Sequence, residues 1–256
     1  MIGPGTRPED GVTQYYKDKT QGPVCAMTCP AATVYRNYFV TQGNRRGQAG
    51  GSKMQIDTTN EVAKLVDNKQ GKYWAMKNGY LLPTQPSSLK ALNVKLAEGS
   101  TDEVVTSAMR LGVHWETEVS KPKKGDQDGH RVCQVFSSAV PVSYAKSTTS
   151  QDWAPLACAI LNAQYEGTLA VAAILAKQRQ CRVPVYLTSV GGGAFGNRSL
   201  WIVHALERAM AIHKDAPLDV RLVHYMRIPK GDFSGLEKKF PKPARRKLKS
   251  VSKNSK

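Results

Sequence analysis

Residues 182–197 read RVPVYLTSVGGGAFGN, and no other stretch of the chain promises as much chemistry from residue type and spacing. Val183, Val185, Tyr186, Leu187 and Val190 form an apolar run that stops at Gly191, Gly192 and Gly193. After Ala194, Phe195, Gly196 and Asn197, the apolar residues of SLWIVHALERAMAIH recur at helical spacing. Strand, glycine loop and helix in that order aim backbone N–H groups and a helix N-terminus at an anion. Glycine lets the backbone approach a diphosphate closely and take a positive φ without a Cβ penalty. The chemistry implied is recognition of a phosphorylated, nucleotide-like ligand. The competing reading is a strand-to-helix turn that needs glycine only for its own geometry. No Lys-Ser/Thr pair follows the last glycine, and the glycines miss the GxGxxG register, so neither common phosphate motif is present. Phe195, bulky beside Gly196, suits packing against a sugar or a ring.

Hydrolysis at such a site would need a carboxylate, and the candidates are Asp57, Glu61 and Glu116. In VHWETEV, the alternation of His114, Glu116 and Glu118 would place all three on one face of a strand. The charged loop that follows fits a solvated face better than an acid–base pair. Cys25 and Cys29 form C-x3-C, but no histidine lies near them and there is no second cysteine pair. A zinc site needs about four ligands, so no metal is expected. No GxSxG elbow supports a nucleophilic serine. No cofactor is implied.

The elements that must position these residues alternate between strand-like and helix-like, which predicts an α/β layer architecture. VCAMTCPAAT reads as a buried strand ending at Pro30, followed by an extended, aromatic-rich VYRNYFV. TQGNRRGQAGGSK reads as a flexible glycine loop whose Arg45 and Arg46 could meet phosphates. A helix is predicted to start at about Asp57–Asn60, with Val62, Leu65 and Val66 on one face. Asn78-Gly79 predicts a tight turn flanked by the aromatics Tyr73, Trp74 and Tyr80. Amphipathic segments follow at 89–96 and 101–112, the second capped by Thr101. A strand at 113–119 pairs through a long loop with one over 132–144. A helix over 153–178 carrying Tyr165 then leads into the glycine-loop strand. That strand, at 183–189, is apolar enough to predict a central position buried on both faces.

VYLTSVGGGAFGN, followed by an amphipathic helix and LDVRLVHY, resembles the second phosphate-binding loop of macrodomains and microbial-type poly(ADP-ribose) glycohydrolases. The order of elements from about residue 131 to 226 is similar too. The resemblance implies a three-layer α/β/α fold with a mixed central sheet. It implies binding of ADP-ribose, or of an ADP-ribosyl group on a macromolecule, through Val190, Gly191, Gly192, Gly193, Ala194, Phe195, Gly196 and Asn197. It also makes hydrolysis of an ADP-ribosyl bond an activity to consider. The Asn-Ala-Ala-Asn loop of macrodomains has its nearest counterpart at Cys29-Pro30-Ala31-Ala32-Thr33, which keeps the pair Ala31 and Ala32 but neither asparagine. The glycohydrolases' Gln-Glu-Glu motif has no match, since Gln55-Ile56-Asp57 lacks an adjacent carboxylate pair.

The chain has 256 residues, 41% of them hydrophobic, enough for a sizeable core. Sequence patterning divides it into a flexible N-terminus (1–20), an α/β domain (21–229) and a basic disordered tail (230–256). The net charge is +17. From Lys230 onward ten Lys/Arg against Asp232 and Glu237 contribute +8 of it. Such a tail fits a nuclear-localisation or polyanion-binding role, or simply a solvated end. The alternative reading is therefore a basic nucleic-acid-binding or ribonucleoprotein-associated protein in which the glycine loop is structural. The N-terminus lacks a basic and apolar leader, no apolar run approaches the roughly 20 residues of a bilayer span, and the five cysteines sit mostly in apolar segments. An intracellular protein with reduced cysteines, nuclear or cytoplasmic and without a membrane partner, is expected.

Overall fold

A computed structural model describes residues 8–48, 50, 54–99, 102–120, 130–224 and 233–241. Its spine is helix α6 (Ser150–Arg179), preceded by seven shorter elements of note: helices α1 (Gln21–Thr28), α2 (Pro30–Tyr38), α3 (Asn60–Leu65), α4 (Ser88–Gly99) and α5 (Asp102–Ala108), and hairpins β3–β4 (Trp74–Lys77, Tyr80–Pro83) and β5–β6 (Gly112–Glu118, Arg131–Phe136). A small hairpin, β1 (Thr41–Gln42) with β2 (Arg45–Arg46), follows α2. After α6 come β7 (Val183–Thr188), α7 (Ser199–Ile212), β8 (Leu218–Val223) and α8 (Ser234–Lys239). This is a mixed α/β chain.

Helix α6 begins with a reciprocal cap. The Asp152 N–H donates to Thr149 Oγ1 at 3.2 Å, and the Thr149 N–H donates to Asp152 Oδ2 at 2.8 Å. Trp153, Leu156, Ile160, Leu161, Tyr165 and Leu169 are buried along it, and α4, α5, α7, β7 and β8 pack around it. By length and composition α6 could cross a bilayer, contrary to the sequence expectation; half of its most apolar window is buried inside the fold. Its apolar character is that of a core helix.

Every sheet among the described residues has two strands. β7 and β8 pair in parallel, joined by α7, while the three hairpins are antiparallel. The mixed central sheet of a three-layer fold is therefore not seen in the described residues, and β7 is not central. Val183, Val185 and Leu187 are buried, whereas Pro184 is exposed and Tyr186 is 61% exposed. The apolar run led to an expectation of two covered faces. Only one is covered, on the side where α6 packs.

Further expectations change. The strand read in VCAMTCPAAT is helical, split between α1 and α2. Pro30 opens α2, where a missing N–H costs nothing. VYRNYFV continues that helix to Tyr38. The N-terminal segment, expected to be flexible, carries helical turns at Pro8–Asp10 and Val12–Lys17, with Tyr15 buried beside Ala26. Within the basic end, expected to be disordered, α8 is helical, and Phe233 and Leu236, each 8% exposed, belong to the main core. Lys239 closes the contact with a 3.0 Å ion pair to Glu207. The strand expected over 132–144 ends at Phe136. The Thr101 cap and residues 242–256 lie outside the described residues.

Candidate functional site

A buried phenol holds the glycine loop where it leaves β7. The Tyr165 hydroxyl donates to the Thr188 carbonyl at 2.6 Å and accepts from the Val190 N–H at 3.0 Å. Burial pushes this phenol's pKa up to about 12, against the lowering effect of the Val190 N–H, so it stays protonated at ordinary pH. Gln21 Nε2, from the start of α1, reaches Thr188 Oγ1 at 2.9 Å. The strand end is thus fixed from two sides before the first glycine.

Two of the four glycines are required by the fold. Gly191 has φ +76° and Gly196 has φ +70°, where L side chains are strained. A Cβ on Gly191 would also overlap Ala139, and one on Gly196 would overlap the Ser143 hydroxyl. Gly192 has no unusual φ, but a Cβ there would press on Ile202 and the Ser189 carbonyl. Gly193 is different. Its φ is ordinary and a Cβ there would meet nothing within 4 Å. Packing gives no reason for glycine at this position.

Hydrogen bonding sorts the loop in the same way. Gly192 N–H is not free for a ligand but donates to Ser189 O at 3.0 Å. Gly196 N–H donates to Gly193 O and Asn197 N–H to Gly191 O, both at 3.0 Å. The N–H groups of Gly193, Ala194 and Phe195 find no acceptor among the described residues, and Gly193 and Ala194 are exposed. Directly after the loop, α7 begins at Ser199 with exposed Arg198 as its N-cap, without a side-chain cap and without an acid in its first turn. That end of the helix carries positive partial charge and no built-in anion.

Asn197 neither caps α7 nor faces solvent. It is 4% exposed, and its Nδ2 donates to Val140 O at 2.8 Å and Gly191 O at 3.3 Å, tying the loop to the segment after β6. Its Oδ1 is buried without a partner. Phe195 packs edge-on against Tyr80 and Tyr144, with ring centroids 5.9 and 5.4 Å away, and its carbonyl accepts from Ser143 N–H at 3.0 Å. Tyr80's phenol is held above its usual pKa by burial first, then by Tyr144 and Asp18.

The other expected site residues are not joined to the loop by any hydrogen bond among the described residues. Ala31 and Ala32 sit in the first turn of α2, which packs on α1 and β5. Glu61 pairs with Lys64 at 2.8 Å, which lowers its pKa. Glu116 accepts from Arg179 Nη2 at 2.6 and 2.8 Å, and that bond holds its carboxyl below the usual range. Its backbone has φ +48° at a bulge between His114 and Thr117, which breaks the alternation expected to align His114, Glu116 and Glu118. His114 is bonded to Gln134 and its pKa is lowered by burial. Asp57 Oδ1 accepts from Thr59 N–H and Oγ1 at 2.8 and 2.6 Å. Asp57 also lines a cleft of about 430 Å³ with Gln42, Arg45, Gln55, Ile56, Asn60 and Met76.

Sequence reasoning did not find the Tyr165 clamp, the Ala139–Ser143 brace or the amide-lined cleft. Tyr165 was legible only as a phenol on an apolar helix next to the loop strand, since a buried hydroxyl must find partners. Among the described residues no three His, Cys, Asp or Glu side chains gather as metal ligands would. Of the five cysteines, all free, only Cys29 is buried; Cys25 and Cys181 are exposed. The chain matches no family model, no curated protein and no solved structure.

Proposed function

We infer that the loop at 191–197 binds the diphosphate of an ADP-ribose-type ligand, free or carried on a macromolecule. The observation that carries the reading is the loop tip. Gly193 is a glycine that neither φ nor packing explains, and the adjacent exposed N–H groups of Gly193 and Ala194 are unpaired. They stand next to the uncapped start of a 14-residue helix bearing Arg198. Unpaired amides beside a helix N-terminus suit a phosphate oxygen, and absence of a Cβ allows close approach. The likeness to macrodomains supplies the ligand class for this strand, loop and helix only, because the described sheets do not form a three-layer frame. Catalysis is not included. Glu61 and Glu116 are committed to ion pairs, and none of the three candidate acids bonds to the loop.

Gly193→Glu is the discriminating variant, since open space surrounds that position and the fold should tolerate it. Calorimetry with ADP-ribose should show binding to the wild-type chain and a loss of at least about a hundredfold in Gly193→Glu, with an unchanged melting temperature. Adenosine, lacking the diphosphate, should bind neither. Equal affinity for ADP-ribose in both proteins would make the loop a structural turn.

A further inference from the structure

From Lys19 to Ile56 the chain carries no Asp or Glu, while Lys19, Arg36, Arg45, Arg46 and Lys53 are cationic. Part of this stretch is carried by α2 and the small hairpin that follows it. On α2, Tyr35 and Phe39 stand one turn apart, 58% and 53% exposed, with ring centroids 6.4 Å apart and planes within 28°. Two residues after Phe39 the β1–β2 hairpin begins, and it presents exposed Arg45 and Arg46. The hairpin is fastened to the end of α2: Gly47 N–H donates to Val40 O at 2.8 Å and Gln48 N–H to Asn37 O at 2.6 Å. The second bond occupies a carbonyl in the last turn of α2 that would otherwise repel an anion. Gly47 has φ +67°, and a Cβ there would strike the backbone of Asn37 and Tyr38, so the close seat needs glycine.

The same hairpin forms one wall of the 430 Å³ cleft, through Gln42 and Arg45. Gln48 Oε1 accepts from Ile56 N–H at 3.0 Å, joining the hairpin to the opposite wall. That wall offers Gln55, Asn60 and Asp57. Amides and a carboxylate are the groups that read base edges, and exposed arginines and exposed aromatic rings are the groups that hold a phosphate backbone and stack bases.

We propose that this segment binds single-stranded nucleic acid, with bases stacking on Tyr35 and Phe39, phosphates held by Arg45 and Arg46, and one base entering the cleft. A net charge of +17 supplies the complementary field. Two stacked aromatics would be wasted on a duplex, whose bases are already stacked; on a purely ionic partner they would add nothing. This interface is separate from the diphosphate loop and does not depend on it.

The test is fluorescence anisotropy with the full chain and labelled 20-nucleotide dT and rU oligomers at two salt concentrations. Both oligomers should bind, and a 20-base-pair duplex should bind more weakly. Tyr35→Ala/Phe39→Ala should weaken binding at least tenfold with the salt dependence kept, because stacking carries no charge. Arg45→Gln/Arg46→Gln should lower the slope of log K against log salt by about 1.4, near 0.7 per lost single-strand phosphate contact. Asn60→Ala should flatten any base preference. All four aromatic and arginine positions are exposed, and unchanged circular dichroism would confirm an intact fold. If the aromatic double variant binds like wild type, the proposal is overturned. It is also overturned if inorganic polyphosphate competes as well as dT, or if only neutralising the lysines and arginines beyond Pro241 removes binding.

Discussion

Replacing Tyr165 by phenylalanine removes one oxygen from the place where β7 becomes the glycine loop. The side chain is 2% exposed, so no water replaces the lost hydroxyl without rearrangement. Thr188 O loses a 2.6 Å donor and Val190 N–H loses a 3.0 Å acceptor. Neither is fully orphaned, because Val190 N–H also reaches Thr188 O at 2.9 Å within its own tight turn. A buried group left without its partner costs about 1–3 kcal/mol, and sharing keeps the sum of the two inside that range. For a chain of this size that is a fall in Tm of roughly 3–10 °C. Urea unfolding should show a lower midpoint with an unchanged m-value.

The same phenol gives a second readout. Its pKa is raised to about 12 from a tyrosine's usual value of about 10, so between those values the native state keeps a proton that the unfolded state has lost. Stability therefore falls as pH rises across that window, by roughly 2–3 kcal/mol, and this group contributes no slope well below pH 10. Tyr165→Phe should lack that alkaline slope. A stability change below about 0.5 kcal/mol, with the alkaline limb intact, would refute the clamp.

The loop glycines should separate under alanine substitution: Gly191→Ala and Gly196→Ala should each lower stability by roughly 1–3 kcal/mol through positive φ and overlap, while Gly193→Ala stays within about 0.5 kcal/mol by the same urea assay. Ending the chain after Pro229 removes Phe233 and Leu236 from the core, and calorimetry should register a loss of roughly 2–5 kcal/mol; an unmoved Tm would show that α8 does not hold the domain. Glu116→Gln should cost under about 1 kcal/mol, since the Arg179 pair is only partly covered, with side chains 39% and 30% exposed. Because the Glu116 pKa is lowered, that difference should be full above the unfolded carboxylate pKa and vanish as pH falls through the folded one, which paired pH titrations of stability would reveal.

Local chemistry was legible in the sequence where a few adjacent residues decide the outcome. Asn78-Gly79 turns β3 into β4 with φ values of +48° and +77°, as the dipeptide predicts. The β5–β6 hairpin, the long helix and the strand–loop–helix around the glycines were read from periodicity alone. Short apolar runs were not legible. VCAMTCPAAT fits a buried strand or a pair of short helices equally, and only packing against the neighbouring elements selects the helices. The fate of the basic end depended on Phe233 and Leu236 meeting a core built from residues far earlier in the chain. The bulge at Glu116 and the buried seat of Asn197 depend likewise on distant partners, Arg179 and Val140, that no local pattern announces. Glycine richness marked the loop, but which amides point outward was set by Ser189, Gly191 and Gly193 carbonyls claiming their donors.

Helix α6, with 30 residues, is about 45 Å long. The small sheets around it are pairs of strands, and an isolated pair is marginal in water at best. None of them is a unit that can survive alone. Amide hydrogen exchange should accordingly find its slowest protons in the middle of α6, around Leu161–Leu169, and report the hairpins as opening locally at lower free energy. Nascent chains would acquire a stable body only after α6 has been made, so the helices and hairpins that precede Ser150 must wait for the rod on which they assemble.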